Sequence, residues 1–214
     1  MENNLDDKRP GSQVVRLLSR MPSLMERARA VMRAAHVQSE LLPFMREAQE
    51  LRDSFQPLLD KTRAPLHPQD FSMLGNCDGL GEWSALAHCT HSQLHGFALF
   101  AGIVINRINE SLNPDRWDCR QQSLQLAQET FKLAHVAKRY QPLGSMYMMM
   151  CLPAAYIATD DPEIKKTSLD LMQDYRSAFC GYTPKPLAAE LDWLRQRFML
   201  QESGTFDEVF DSYV

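Results

Sequence analysis

Three histidines stand close together in the segment HCTHSQLH, which covers residues 88–95. On a helix, the pair His88 and His91 and the pair His91 and His95 are each spaced so that both members share one face. Two imidazoles on one face can bind a metal ion or exchange protons near neutral pH. A single ion would not reach all three, because the segment rises about 10.5 Å along the helix axis. The segment also lacks the glutamate of an HExxH metalloprotease motif.

A metal site at these histidines would need a third ligand from elsewhere in the chain. The nearest donors in the sequence are Cys77, Asp78 and Glu82. The five cysteines form no CxxC pair, which argues against a zinc knuckle and against a thioredoxin-type redox motif. We therefore predict no metal site and no cofactor, with His88, His91 and His95 as the residues to consider if a metal were found.

A second group lies in the run GSMYMMMCLPAAYIAT, residues 144–159, which has no charged side chain and contains four methionines. A helix that is apolar on all sides must be covered on all sides, so this run is predicted to be the central helix of the fold. It is too short to span a membrane, which takes about 20 apolar residues. Pro153 is predicted to kink it, because proline lacks a backbone donor.

Polar groups in this apolar run indicate a small-molecule site. Tyr147 and Cys151 are four residues apart and share a helix face, and packing against the histidine helix would bring His91 or His95 to the phenol. If the protein is an enzyme, we expect His91, His95 and Tyr147 to be catalytic. The expected ligand-binding residues are Trp83, Phe97, Met146, Met149, Met150, Cys151 and Tyr156. The alternative is that all of these residues simply fill the core.

Charge and terminal composition exclude several classes of protein. The net charge is −4, the isoelectric point is about 5.9 and no run of Lys or Arg is present, so no nucleic-acid partner is expected. No segment is long and apolar enough to predict a membrane partner. The polar, acidic N-terminus has no signal-peptide pattern, which predicts an intracellular protein, cytoplasmic or nuclear. Phosphate-loop and GxSxG patterns are also absent.

Helical periodicity runs through most of the chain, and no segment shows the alternation of a strand. This predicts an all-α fold, a single orthogonal or irregular bundle of about seven helices around the apolar central helix. Long helices are expected over 82–112 and 115–140, and Asp161-Pro162-Glu163 predicts a helix start. The predicted organisation is a disordered tail (1–12), one helical domain (13–203) with a long loop or lid (62–81), and an acidic, aromatic tail (204–214).

Residues 119–175 contain three motifs in succession. They are the small-residue run Leu152 to Tyr156, the helix start Asp161-Pro162-Glu163, and the leucine-rich stretch Leu169 to Met172. This stretch resembles the C-terminal regulatory region of fungal binuclear zinc-cluster transcription factors. The resemblance implies an all-helical fold, a fungal source and descent from an effector-sensing domain. Those regulators carry a six-cysteine zinc cluster, and no cysteines here have that spacing. The resemblance therefore implies a transcription-factor-like domain without DNA binding.

Three functions remain open on these grounds. The first is a regulatory domain that binds a small apolar molecule. The second is a cofactor-free biosynthetic enzyme, a cyclase or isomerase such as a pericyclase, acting on a polyketide or terpenoid intermediate of fungal secondary metabolism. The third is a dimerisation module that forms a homodimer or pairs with a partner regulator through its N-terminal helices.

Overall fold

The computed structural model describes residues 10–33, 38–63, 80–141, 145–179, 191–192 and 195–196. Within these ranges the protein has no strand, and the all-α prediction is confirmed. The helices are α1 (Pro10–Arg33), α2 (Gln38–Arg63), α3 (Leu80–Leu112), α4 (Trp117–Ala137), α5 (Met148–Ile157) and α6 (Pro162–Phe179), with a 3-10 turn at Lys138–Tyr140. The count of about seven helices and their orthogonal arrangement stay predictions. A further helix near 187–200 falls mostly outside the described residues.

The centre of the molecule is α3 rather than the methionine-rich run, which corrects the prediction. α3 contacts α1, α2, α4 and α5, and every residue from 101 to 112 is buried. That buried end includes polar side chains, such as Asn106, Arg107 and Glu110. Hydrophobic patterning predicts that the most apolar helix is the central one. α3 is central although it carries polar side chains, because polar groups can be buried when they are paired.

The methionine-rich run forms a short helix that is buried over most of its length and exposes side chains at its N-terminal end. α5 packs against α3, α4 and α6, and its Met148, Cys151 and Leu152 are fully buried. Met150 is 46% exposed, and Met146, just before the helix, is 61% exposed. The expectation of cover on all sides is therefore wrong for these two side chains.

Helix boundaries differ from the sequence analysis at two places. α1 begins at Pro10, so the helix includes the last residues of the predicted disordered tail. α2 continues through Pro57 to Arg63, because the apolar side chains of Phe55, Leu58 and Leu59 stay buried on both sides of the proline. The predicted loop or lid thus loses its first residues to α2, and residues 64–79 lie outside the described part, as do the tails 1–9 and 204–214.

The start of α6 follows the sequence signal. The Asp161 side chain accepts hydrogen bonds from the backbone N–H groups of Glu163 at 2.9 Å and Ile164 at 3.3 Å. These bonds satisfy donors that have no partner within the helix, and Pro162 occupies the first helical position. Of the helices that the structure describes, none combines the length and apolar character needed to cross a membrane.

Candidate functional site

Two of the three histidines bind the same residue at the C-terminus of α2. The His91 Nε2 donates to the backbone carbonyl of Thr62 at 2.8 Å, and the His95 Nδ1 lies 3.0 Å from the Thr62 hydroxyl. A carbonyl in the last turn of a helix has no partner within the helix, so His91 satisfies it. The two imidazoles, one turn apart on α3, therefore fix the end of α2.

The other ring nitrogen of His95 faces α4. His95 Nε2 lies 3.1 Å from Glu129 Oε1, and Arg63 binds both oxygens of the same carboxylate at 2.8 and 2.7 Å. Burial alone would raise the pKa of Glu129, but the hydrogen bonds from Arg63 and His95 outweigh it and lower the pKa from 4.5 to about 2. Glu129 is thus an ionised group that joins three helices.

Both ring nitrogens of the fully buried His95 have partners within the protein. Nδ1 lies 3.0 Å from the Thr62 hydroxyl, which also reaches the carbonyl of Leu59 at 2.9 Å. Nε2 faces the ionised carboxylate of Glu129 and donates to it. Both nitrogens are used, and neither is available to a substrate.

The depressed pKa of Glu129 predicts a pH-dependent contribution to stability. Because the folded pKa lies below the ordinary value, the stabilisation is fully present above pH 4.5 and is lost as the pH falls towards 2. Between these values the free energy of unfolding of the wild type should fall towards that of Glu129→Gln, by at most about 1.4 kcal/mol per pH unit. Urea unfolding from pH 7 to pH 2.5 measures the difference. A constant difference across this range would contradict the ionised, paired Glu129.

A cleft of about 430 Å³ opens beside this network, along one face of α4. Its floor is formed by the buried His95 and by Glu129, and its apolar wall is formed by Leu133 and Val136. The polar residues on the same face, Gln125, Gln128 and Lys132, are exposed. The full lining is His95, Gln125, Gln128, Glu129, Lys132, Leu133 and Val136.

Tyr147 lies at a different face of α3 from His95. Its ring packs directly on Gly96, where an added Cβ would come within 2.7 Å of Tyr147 Cδ2 and 3.1 Å of the Cys151 sulfur. Successive helix residues point about 100° apart, so the side chain of His95 is directed away from that contact. The expected meeting of Tyr147 with His91 or His95 is not among the hydrogen bonds of the described residues. The α3 residues whose side chains influence the pKa of the Tyr147 phenol are Cys89 and Ser92.

The Tyr147 phenol is poorly suited to proton transfer. Burial raises its pKa well above the ordinary value, against the smaller, opposite effect of Ser92. The hydroxyl is buried, and Ser92 is the polar side chain beside it on α3. Burial likewise raises the pKa of the Cys151 thiol. Both groups are therefore neutral at physiological pH.

The other expected ligand-binding residues are dispersed. Phe97 meets Tyr147 edge to face, with ring centroids 6.4 Å apart, and Met149 is half-buried. The Tyr156 hydroxyl donates to Asp192 at 2.9 Å. None of these, nor the exposed Met146 and Met150, lines the cleft beside His95. The side chains of Trp83 and His88 lie outside the described part, so their predicted roles stay predictions.

No three His, Cys, Asp or Glu side chains come together as a metal site within the described ranges. His91 and His95 direct ring nitrogens at Thr62 and Glu129 instead. The donors named as a third ligand are not described: Cys77 and Asp78 precede α3, and the side chain of Glu82 is not placed.

Sequence reasoning missed Thr62, Arg63 and Glu129. Each has an ordinary local explanation, since polar residues near a helix end or on a solvated face are common. Glu129 is separated from His95 by 34 residues and from Arg63 by 66, so no local spacing links them. The one local signal was the i, i+4 spacing of His91 and His95, which places both rings towards a common partner.

Comparison of this chain with protein-family models, with curated proteins and with solved structures finds no match.

Proposed function

We propose that this protein is a regulatory-type helical domain that binds a small, largely apolar molecule in the cleft along α4. The observation that carries the proposal is the composition of that cleft. A volume of about 430 Å³ lies within the range of small-molecule sites, with an apolar wall at Leu133 and Val136 and polar groups fixed in its floor. Arg63, His95 and Thr62 hold the floor rigid, which lowers the entropy cost of binding.

The proposed relationship to fungal zinc-cluster regulators is supported by the position of the cleft-lining residues in the sequence. The residues of α4 that line the cleft, from Gln125 to Val136, lie inside the stretch 119–175 that carries the resemblance. We assign the domain to effector sensing, without a DNA-binding role of its own. A partner regulator would then receive the signal.

Binding is favoured over catalysis by the state of the candidate catalytic groups. Both ring nitrogens of His95 are engaged, one ring nitrogen of His91 binds a backbone carbonyl, and burial keeps Tyr147 protonated. General acid–base catalysis needs a group that can reach the reacting proton and has a pKa near the working pH. The cyclase or isomerase alternative therefore has no geometric support at these residues.

The proposal is tested with N-phenyl-1-naphthylamine, a neutral apolar fluorophore whose emission rises when it leaves water. The wild type should bind it, and Val136→Trp should weaken binding by about tenfold, or ~1.4 kcal/mol, because the larger side chain occupies the cleft. Val15→Trp on α1 is the matched control, since Val15 is 65% exposed and away from the cleft. Tyr147→Phe should also leave the affinity unchanged.

Two results would overturn the proposal. One is a wild type that produces no saturable rise in emission. The other is an equal loss of affinity in Val136→Trp and Val15→Trp, which would place the probe outside the cleft.

A further inference from the structure

We infer that the cleft along α4 selects carboxylates that carry an apolar chain or ring. This inference rests on the proposed function and names the ligand class of the same site. It follows from asking which lining groups are still available to a ligand once the internal hydrogen bonds are assigned.

The acidic and imidazole groups of the floor are already engaged. Glu129 Oε1 is approached by Arg63 Nε and His95 Nε2, and Glu129 Oε2 is bound by Arg63 Nη2. Arg63 also pairs with Asp60 at 2.9 Å. Both oxygens of Glu129 are therefore engaged within the protein, and the adjacent guanidinium of Arg63 partly offsets the negative charge that an anionic ligand would meet.

Three exposed polar groups remain available on the same helix face. Gln125, Gln128 and Lys132 follow at intervals of three and four residues, so their side chains project side by side. None of them forms a hydrogen bond or ion pair with another residue of the described part. Two amide donors beside an ammonium group match the acceptor oxygens of a carboxylate.

The apolar wall continues the face towards the C-terminus of α4. Leu133 is buried, and Val136, 42% exposed, lies one turn after Lys132. A carboxylate held at Lys132 would therefore leave its apolar part against Leu133 and Val136. A cationic ligand of the same shape would meet Lys132 as a like charge, and a neutral one would forgo the ion pair.

The experiment compares three probes with the same eight-carbon chain: octanoate, octan-1-ol and octylammonium. Octanoate and octylammonium are titrated below their micelle concentrations and octan-1-ol below its solubility limit, all at low salt and neutral pH, and methyl NMR shifts of Leu133 and Val136 report binding. We expect octanoate to bind about fivefold more tightly than octan-1-ol, as an accessible ion pair allows, and octylammonium to bind most weakly. Added salt should reduce the preference for octanoate.

Lys132→Met is the decisive variant, because it keeps the length of the side chain and removes its charge. It should lower the octanoate affinity to that for octan-1-ol and leave the octan-1-ol affinity unchanged. Lys61→Met is the matched control, since Lys61 is exposed on α2 and does not line the cleft. It should leave all three affinities unchanged.

The outcomes separate the two proposals. If the three probes bind equally, or if Lys132→Met does not change the order, the carboxylate inference is wrong while small-molecule binding stands. Octylammonium binding most tightly would contradict it in the same way. If none of the probes shifts the methyl signals, and N-phenyl-1-naphthylamine does not bind either, both proposals are wrong.

Discussion

Glu110→Ala should destabilise the protein by about 3 kcal/mol, because it removes one partner of a buried ion pair. Arg107 Nη1 lies 2.5 Å from Glu110 Oε2 in the last turns of α3, and the two side chains are 2% and 5% exposed. Burial lowers the pKa of Arg107 below its ordinary value, although the nearby carboxylates of Glu110 and Asp160 act in the opposite direction. Without Glu110 the guanidinium keeps its desolvation cost and loses its closest carboxylate. Urea unfolding measures the change in free energy.

Arg120→Ala is the matched control for this prediction. Arg120 binds the second oxygen of Glu110 at 2.9 Å, but its side chain is 62% exposed. Its removal should cost less than about 1 kcal/mol, as is usual for accessible ion pairs. The double variant Arg107→Met, Glu110→Leu should be more stable than Glu110→Ala, since no isolated buried charge remains. If Glu110→Ala lowers the free energy of unfolding no more than Arg120→Ala does, the predicted cost of breaking the buried pair is wrong.

Gly102→Ala should cost about 1–3 kcal/mol although alanine is the better helix former. Gly102 lies where α3 meets α2 and α4. An added Cβ would overlap the Phe55 ring, at 2.7 Å from Cζ, and would lie 2.9 Å from Leu126 Cδ1. A packed aromatic ring cannot give way without moving its neighbours, so the overlap outweighs the gain in helix propensity, which is at most about 1 kcal/mol. Thermal and urea unfolding measure the effect.

Gly11→Ala and a compensating substitution provide the controls. Nothing lies within 4 Å of a Cβ added at Gly11 in α1, so alanine there should be neutral or stabilising by up to about 1 kcal/mol. Phe55→Leu in the Gly102→Ala background should cost less than Phe55→Leu alone, because the smaller side chain relieves the overlap. Additive effects of the two substitutions would show that the ring does not limit the approach of α2 to α3.

Local patterns were reliable wherever the physical cause is local. The helical periodicity of apolar residues predicted α3 and α4 to within a few residues, and Asp161-Pro162-Glu163 predicted the start of α6. The start of the predicted loop was less reliable: it was expected at residue 62, but α2 runs through Pro57 to Arg63, with the apolar side chains around the proline buried. Packing energy from several apolar side chains exceeds the cost of one lost backbone hydrogen bond.

The centre of the fold was misplaced for a related reason. Hydrophobicity alone selects the run around Met148, whereas α3 owes its central position to contacts on all sides and to the pairing of Arg107 with Glu110. That pair is local, since Glu110 follows Arg107 by three residues on α3, but other partners of this buried end come from other helices: Arg52 of α2 donates to Asn106 and Arg120 of α4 donates to Glu110. Patterning within one helix does not contain that information.

The sequence by itself determined an all-helical protein, most of its helix boundaries, and two histidines on one face of α3. The tertiary structure alone decided what those histidines do. It brings Thr62 from α2 and Glu129 from α4 to His95, opens the cleft beside them, and turns Tyr147 towards Gly96 instead. Helix periodicity depends on neighbours within a few residues, whereas these contacts join residues about 30 or more positions apart, and only the packing of helices against one another sets them.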